Sequence, residues 1–277
     1  MLQGLHATVI GDSHVRRGIV CQDCSGHYVT DHFGIAVVAD GHGSEKHFRS
    51  EVGSRLAVKI TTGLLDKYMG RPDFKEQFQM HPDFILAQME KQILMKWREA
   101  VEVYHQENPL SREEADKLKS IEEAGGRKLR TAVIYGSTVL AAVIADGYSF
   151  GLVLGDGGFV VLDRKGRLFI PVEDRNSHAN YTSSLCNTDA VHYFEHWYSE
   201  DVPSAVFVST DGLYKSFASD ADFLRYHGLL AKMLEDEDRT LQSLERNFEK
   251  RTREGSGDDI SIALIYRSED FTKEVLQ

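Results

Sequence analysis

Three apolar runs in this chain stop on an aspartate, and each aspartate is followed at once by glycine: VVAD with Asp40, LVLGD with Asp156 and VFVSTD with Asp211. A fourth run starts behind a pair of them, Asp258 and Asp259 before ISIALIY, and Asp23 closes the polar stretch ahead of FGIAVVA. Carboxylates gathered within a few ångströms repel and raise one another's pKa values, so such a set is unstable without a counter-charge. A divalent cation supplies it. An oxygen-only set suits a hard ion such as magnesium or manganese, and not zinc, which prefers nitrogen and sulfur. Any one Asp-Gly pair alone reads as a turn. Repetition at equivalent strand ends is what points to a shared metal site, with the glycines allowing tight turns and letting a backbone carbonyl approach the ion. His42, held in Asp40-Gly41-His42-Gly43, adds a group able to move a proton near neutral pH.

The elements that must position these residues are legible from hydrophobic period. LHATVIG (5–11) and FGIAVVA (33–39) read as strands separated by a polar loop, and from the N-cap Ser44 the residues Phe48, Val52, Leu56 and Ile60 recur at helical spacing. Residues 83–106 predict a long helix and 111–124 a short charged one, ended by Gly125 and Gly126. Beyond them the period changes. STVLAAVIA, YSFGLVLG, FVVLD and RLFIPV predict an antiparallel meander with Asp-Gly and Gly-rich turns. VHYFEHWYS, SAVFVST, a helical stretch over 213–253 and the strand ISIALIY complete the chain. Helices and antiparallel strands in separate blocks predict an α+β fold. Since the end of one antiparallel strand lies beside the start of its neighbour, the aspartates are expected on one rim of the sheet.

The 277 residues, 42% hydrophobic, are ample for a large core, and without repeats or a proline-rich linker they are read as one domain that includes a helical stretch around 67–130, an extension by the measure of the family resembled below. The EE and KLK charges of that extension read as a solvated face. No apolar run approaches the roughly 20 residues of a membrane helix, and the N-terminus shows no secretory leader, so a soluble, cytoplasmic protein without a membrane partner is expected. A formal net charge of −11 excludes general nucleic-acid binding, because no stretch gathers enough Lys and Arg to neutralise many phosphates. Cys21, Cys24 and Cys186 form no disulfide framework, and CQDC has no second C-x-x-C to complete a zinc set.

At this point the residues resemble the metal-dependent protein phosphatases of type 2C. The family's ordered signatures have counterparts in CQD (21–23), DGHG (40–43), GST (136–138), GDGG (155–158), STDGL (209–213) and GDDIS (257–261), a series spread over about residues 5–266. The resemblance implies a central sandwich of two antiparallel sheets flanked by helices, in α-β-β-α layers. It makes Asp40, Asp211 and Asp258 ligands of one divalent cation, Mg2+ or Mn2+. A second cation would take Asp40 as a bridge, the Gly41 carbonyl and Asp23, and Asp156 matches the aspartate of a third, weaker site. Asp259, where the family often has asparagine, would support Asp258. The implied reaction is hydrolysis of phosphoserine and phosphothreonine in proteins by a hydroxide bridging the two cations, with His42 protonating the leaving oxygen.

The family's phosphate-binding arginine lies five residues before the first aspartate, a position held here by Gly18, so Arg17, or else Arg16, has to supply the guanidinium. The flap beside the site is compact, and 174–189 with His178, Asn180 and Thr182 would stand in its place. CQD with a compact flap resembles a bacterial branch of the family, which implies a signalling role against a serine/threonine kinase. Two other readings use the same residues: a phosphatase-like regulatory or phosphate-binding module with little turnover, and a phosphatase of small phosphate esters.

Overall fold

The computed structural model describes residues 1–172 and 182–271, so His178 and Asn180 lie outside the described residues. The strands are β1 (Leu2–Val9), β2 (Cys24–Val29), β3 (Phe33–Ala39), β4 (Val139–Ala145), β5 (Tyr148–Leu154), β6 (Gly158–Leu162), β7 (Leu168–Phe169), β8 (Glu195–Ser199), β9 (Ala205–Ser209) and β10 (Ile260–Arg267). They form two antiparallel sheets, ordered β1-β10-β9-β6-β7 and β2-β3-β4-β5-β8. The α-helices are α1 (Asp12–Arg17), α2 (Ser50–Met69), α3 (Phe74–Met80), α4 (Pro82–Glu107), α5 (Arg112–Gly125), α6 (Thr131–Ile134), α7 (Asp211–Tyr214), α8 (Asp220–Ala231) and α9 (Glu237–Glu254).

Every residue of β3 is buried, which explains why FGIAVVA is apolar throughout instead of alternating. Successive side chains point to opposite faces. Ala36 and Val38 therefore meet Leu140, Val208 and Ile265 between the sheets, while Ile35 and Val37 join Val52, Leu86 and Trp97 under α2 and α4. On the other side Phe207, Ile262 and Leu264 pack with Phe223 and Phe248 of α8 and α9. Helices thus cover both outer faces of a sheet sandwich, the expected α+β layering.

Three local expectations are corrected. The polar stretch before Gln22 holds the helix α1, whose C-cap Gly18 takes the left-handed φ of 66°. The meander is not one sheet: β4 and β5 lie in one and β6 and β7 in the other, because the chain crosses between sheets at Gly155 to Gly157. The helical stretch over 213–253 is broken into α7, α8 and α9. Within 67–130, α4 buries Leu86, Met89, Ile93, Trp97 and Val101 in the core, whereas α5 buries no residue fully. A capping box between Ser111 and Glu114 starts α5.

Candidate active site

The aspartates converge at one end of the sandwich, but they come from both sheets and not from a single rim. In one sheet β3 ends on Asp40 beside the start of β4: the Asp40 N–H donates to Thr138 Oγ1 at 2.9 Å, and the Thr138 N–H to the Asp40 carbonyl at 2.8 Å. In the other, β9 ends beside the start of β10. There the Thr210 N–H donates to the Ser261 carbonyl at 3.0 Å, and the Ser261 N–H donates to Thr210 Oγ1 at 2.9 Å. The Thr210 hydroxyl then donates to Asp23 Oδ2 at 2.7 Å, tying the residue before β2 to the end of β9 across the sandwich.

The glycines after the aspartates provide clearance. Neither Gly41 nor Gly212 has a positive φ, so a left-handed turn is not the reason for either. A Cβ on Gly41 would stand 2.6 Å from the Gln22 carbonyl oxygen and 2.7 Å from that of Ser50; one on Gly212 would stand 1.9 Å from the Asp259 carbonyl oxygen. Backbone must pass closely at both points for the strand ends to meet.

Asp259 is an organiser of the loop. Its Oδ1 accepts the Gly11 N–H at 2.6 Å and faces His14 Nδ1 at 3.0 Å, and its Oδ2 accepts the Gln22 N–H at 2.6 Å. It is buried, as is His14. That placement joins both ends of the segment before β2 to the start of β10. Asp258 holds its neighbour's N–H with Oδ1 at 2.9 Å and lines the pocket.

The pocket has a volume of about 340 Å³. Asp40, Gly41, His42, Asp156, Asp211 and Asp258 line it, with Asp23 buried behind. Arg17 reaches the wall, its Nε donating to the Ser13 carbonyl at 3.3 Å. Arg16 instead pairs with Asp12, and its side chain is 71% exposed. The structure therefore separates the two arginines. Thr182 also lines the pocket and donates to Asp156 Oδ2 at 3.0 Å.

Lys215 was missed in the sequence. Its Nζ lies 2.6 Å from Asp156 Oδ2 and 2.7 Å from Asp211 Oδ2. Lys215 follows Asp211 by four residues, the spacing of a helical ion pair, and that was the available signal. His14 offered none, because its partner Asp259 is distant in sequence.

Burial, then the neighbouring carboxylates, push Asp23 and Asp40 well above the ordinary carboxylate range, and burial followed by Asp211 raises Asp258. Burial lowers His42 to about 4, against a smaller upward pull from Asp156. Burial opposes the charge on Lys215, but its bonds to Asp156 and Asp211 outweigh that and raise it. Burial also raises the thiols of Cys21 and Cys24, which favours the protonated form of both.

Among the described residues, no three His, Cys, Asp or Glu side chains stand close enough to enclose an ion as they are placed. Lys215 holds one oxygen of Asp211, and Thr210 one of Asp23. The donor set nevertheless fits a hard cation: among the described residues Asp211 Oδ1 is buried without a hydrogen-bond partner, beside carboxyls that burial and then their neighbours' charges make reluctant to ionise.

A family model described as protein phosphatase 2C matches residues 10–249. No curated protein sequence matches the chain. Among solved structures, serine/threonine phosphatase Stp1 from Staphylococcus aureus is 14% identical with a TM-score of 0.59, covering 96% of this chain and 95% of its own. The serine/threonine phosphatase PstP/Ppp of Mycobacterium tuberculosis is 15% identical at a TM-score of 0.57, covering 96% and 98%. The catalytic domain of PstP in complex with two manganese ions is 13% identical at a TM-score of 0.54, covering 96% and 97%. At such identities these likenesses concern the fold.

Proposed function

We infer that this chain, which belongs to the protein phosphatase 2C family, is a metal-dependent serine/threonine protein phosphatase that hydrolyses phosphoserine and phosphothreonine in proteins and opposes a serine/threonine kinase. The carrying observation is the buried Asp211 Oδ1, without a hydrogen-bond partner among the described residues, beside carboxyls raised by burial and then by one another's charge. Asp40, Asp211 and Asp258 would hold one divalent ion, and Asp40, the Gly41 carbonyl and Asp23 a second; the PstP structure with two manganese ions supports this count. Such ions, Mg2+ or Mn2+, supply the charge that lowers the pKa of an attacking water and steadies the phosphoryl oxygens.

The chain's own residues supply the rest. Arg17 meets the phosphoryl oxygens with Nη1 and Nη2, since its Nε is already given to Ser13. Asp259, through Gly11, His14 and Gln22, fixes the loop that carries both Arg17 and Asp23. His42 is a neutral imidazole near pH 7 in the free pocket. The dianionic phosphate raises its basicity on binding, and the protonated ring then gives its proton to the departing seryl or threonyl oxygen. Lys215 already places a positive charge at Asp156, the position of the third, weaker cation site.

Hydrolysis of an aryl phosphate, measured with manganese, with chelator and with Asp211→Asn, tests this reading. We expect manganese-dependent turnover that the substitution abolishes. Turnover no greater than that of the variant would exclude the enzyme reading in favour of a phosphate-binding module.

A further inference from the structure

A second and larger cavity, of about 920 Å³, adjoins the pocket and shares His42, Gly43 and Thr182 with it. Its walls depart sharply from the charge of the whole chain, in which 43 acidic residues outnumber 32 basic ones. Among the described residues four cations line it, Lys46, Arg127, Lys128 and Arg130, against one carboxylate, Asp189. All four are exposed. Among the described residues Lys46, Arg127 and Lys128 enter no ion pair, while Arg130 Nη2 donates to the Cys186 carbonyl at 2.7 Å and is thereby anchored to the opposite wall. His47, stacked at 4.9 Å on His42, is lowered to about 4 by burial and adds no charge near neutral pH.

The cations come from two places. Lys46 lies three residues beyond the DGHG turn, whereas Arg127, Lys128 and Arg130 lie on the segment between α5 and α6, which turns sharply at Gly126 with a φ of 64°. Helix α5 brings that segment to the pocket mouth, so part of the chain's extension becomes a wall of the substrate approach. Charges spread along a cavity of this size suit a row of anions more than a single one.

We propose that this basic cavity binds a carboxylate-rich segment flanking the phosphorylated residue, so that the protein selects phosphoserine or phosphothreonine set among aspartates and glutamates. The proposal rests on the phosphatase reading for its orientation, with the scissile phosphate in the aspartate pocket and the acidic flank running past His42 toward Arg127 and Lys128. It also separates a protein substrate from a small phosphate ester, which would leave the larger cavity unused.

The test compares a phosphoserine peptide flanked by four glutamates with the same peptide flanked by four glutamines, using wild type and Arg127→Gln/Lys128→Gln. Both substituted residues are exposed and lie outside the aspartate pocket. We expect kcat/KM about tenfold higher for the glutamate peptide in wild type, mostly through KM, falling to about the glutamine value in the double variant or at high salt. Turnover of an aryl phosphate should be unchanged by the substitution. Fluorescence anisotropy of the two labelled peptides in chelator reads the same preference without turnover. Equal kcat/KM for the two peptides, or a preference that survives the double substitution, would overturn the proposal while leaving the phosphatase reading intact. Absence of all manganese-dependent turnover would overturn that reading, and a glutamate preference in anisotropy that is lost in the variant would still uphold the cavity. A peptide with a second phosphoserine in place of the glutamates, if preferred more than tenfold over them, would contradict the assignment to carboxylates.

Discussion

At Arg49 the guanidinium donates to both oxygens of Glu114, at 2.7 and 2.8 Å, and also to the carbonyls of Asn108 and Pro109 and the Tyr135 hydroxyl. At the ends of β3, β9 and β10 the acids Asp23, Asp40, Asp211 and Asp258 share one region, where the cation bonded to Asp211 is Lys215, itself divided with Asp156. Both regions remove charge from water, and they answer the cost differently. Around Arg49 the pairing is complete, and the bond with Glu114 secures α5 beside the core. Glu114 is accordingly held down to about 2 by Arg49. At the strand ends the pairing is incomplete, and Asp23, Asp40 and Asp258 are pushed up by burial and their neighbours. A finished ion pair holds a fold together, whereas an unfinished cluster keeps free energy available for a ligand.

Removing one partner should therefore have opposite signs in the two regions. Arg49→Ala takes away the cation paired with Glu114 and the donor to the Asn108 and Pro109 carbonyls, while the Ser111 N–H still reaches Glu114 and His105 still meets the Tyr135 hydroxyl, so urea unfolding should show a loss of about 1–3 kcal/mol. At a pH above its raised pKa, Asp40→Asn removes a repelled charge. In chelator it should raise the melting temperature, by about 2–4 °C for each kcal/mol of relieved repulsion. A melting temperature lowered by Asp40→Asn in chelator would break the comparison.

The pH dependence sharpens it. Asp23, Asp40 and Asp258 have folded pKa values above their unfolded ones, so between the two the folded state binds more protons than the unfolded chain. Stability of the metal-free protein should then fall as pH rises from about 4 through the raised values. Saturating manganese should flatten that slope, as thermal melts across pH would reveal.

Lys215→Ala is a smaller perturbation because the side chain is 56% exposed. It removes the internal cation, so the melting temperature in chelator should drop slightly while manganese binds more tightly, by about fivefold, on the scale of ~1 kcal/mol for an exposed pair. The smallest effect is expected far from the site, at His196. Its pKa is raised by the hydrogen bond to Glu90 at 2.7 Å, with Asp83 adding to it. This pair stabilises fully below the unfolded histidine pKa, and its contribution fades as pH climbs through the raised folded value. His196→Gln should cost about 0.5–1 kcal/mol at pH 6 and little at pH 9.

What could be read from the sequence was local. A run such as FGIAVVA followed by Asp-Gly carries strand, burial and turn in adjacent residues, and it singled out Asp40, Asp156 and Asp211, while Asp258 stood out by its place ahead of ISIALIY. Pairings between distant segments leave no local trace. The crossing at Gly155 to Gly157 divides what reads as one meander, because a hydrophobic run does not say which sheet it joins. Asp259 passed for a support of Asp258, yet its bonds to Gly11, His14 and Gln22 make it the joint of the loop. Gly41 and Gly212 were legible as glycines but not as clearance for a neighbouring backbone. Arg49 and Glu114 are 65 residues apart, and neither belongs to a motif. The basic residues after Gly126 likewise gain meaning only when α5 sets them across a cavity from Lys46.

The central claim, that the strand-end aspartates form a cation site, is tested most directly by isothermal titration of the metal-free protein with manganese. Two ions per chain are expected, with Asp40→Asn, which removes the carboxylate proposed to bridge them, disrupting both sites. Binding no stronger in wild type than in Asp40→Asn would contradict it.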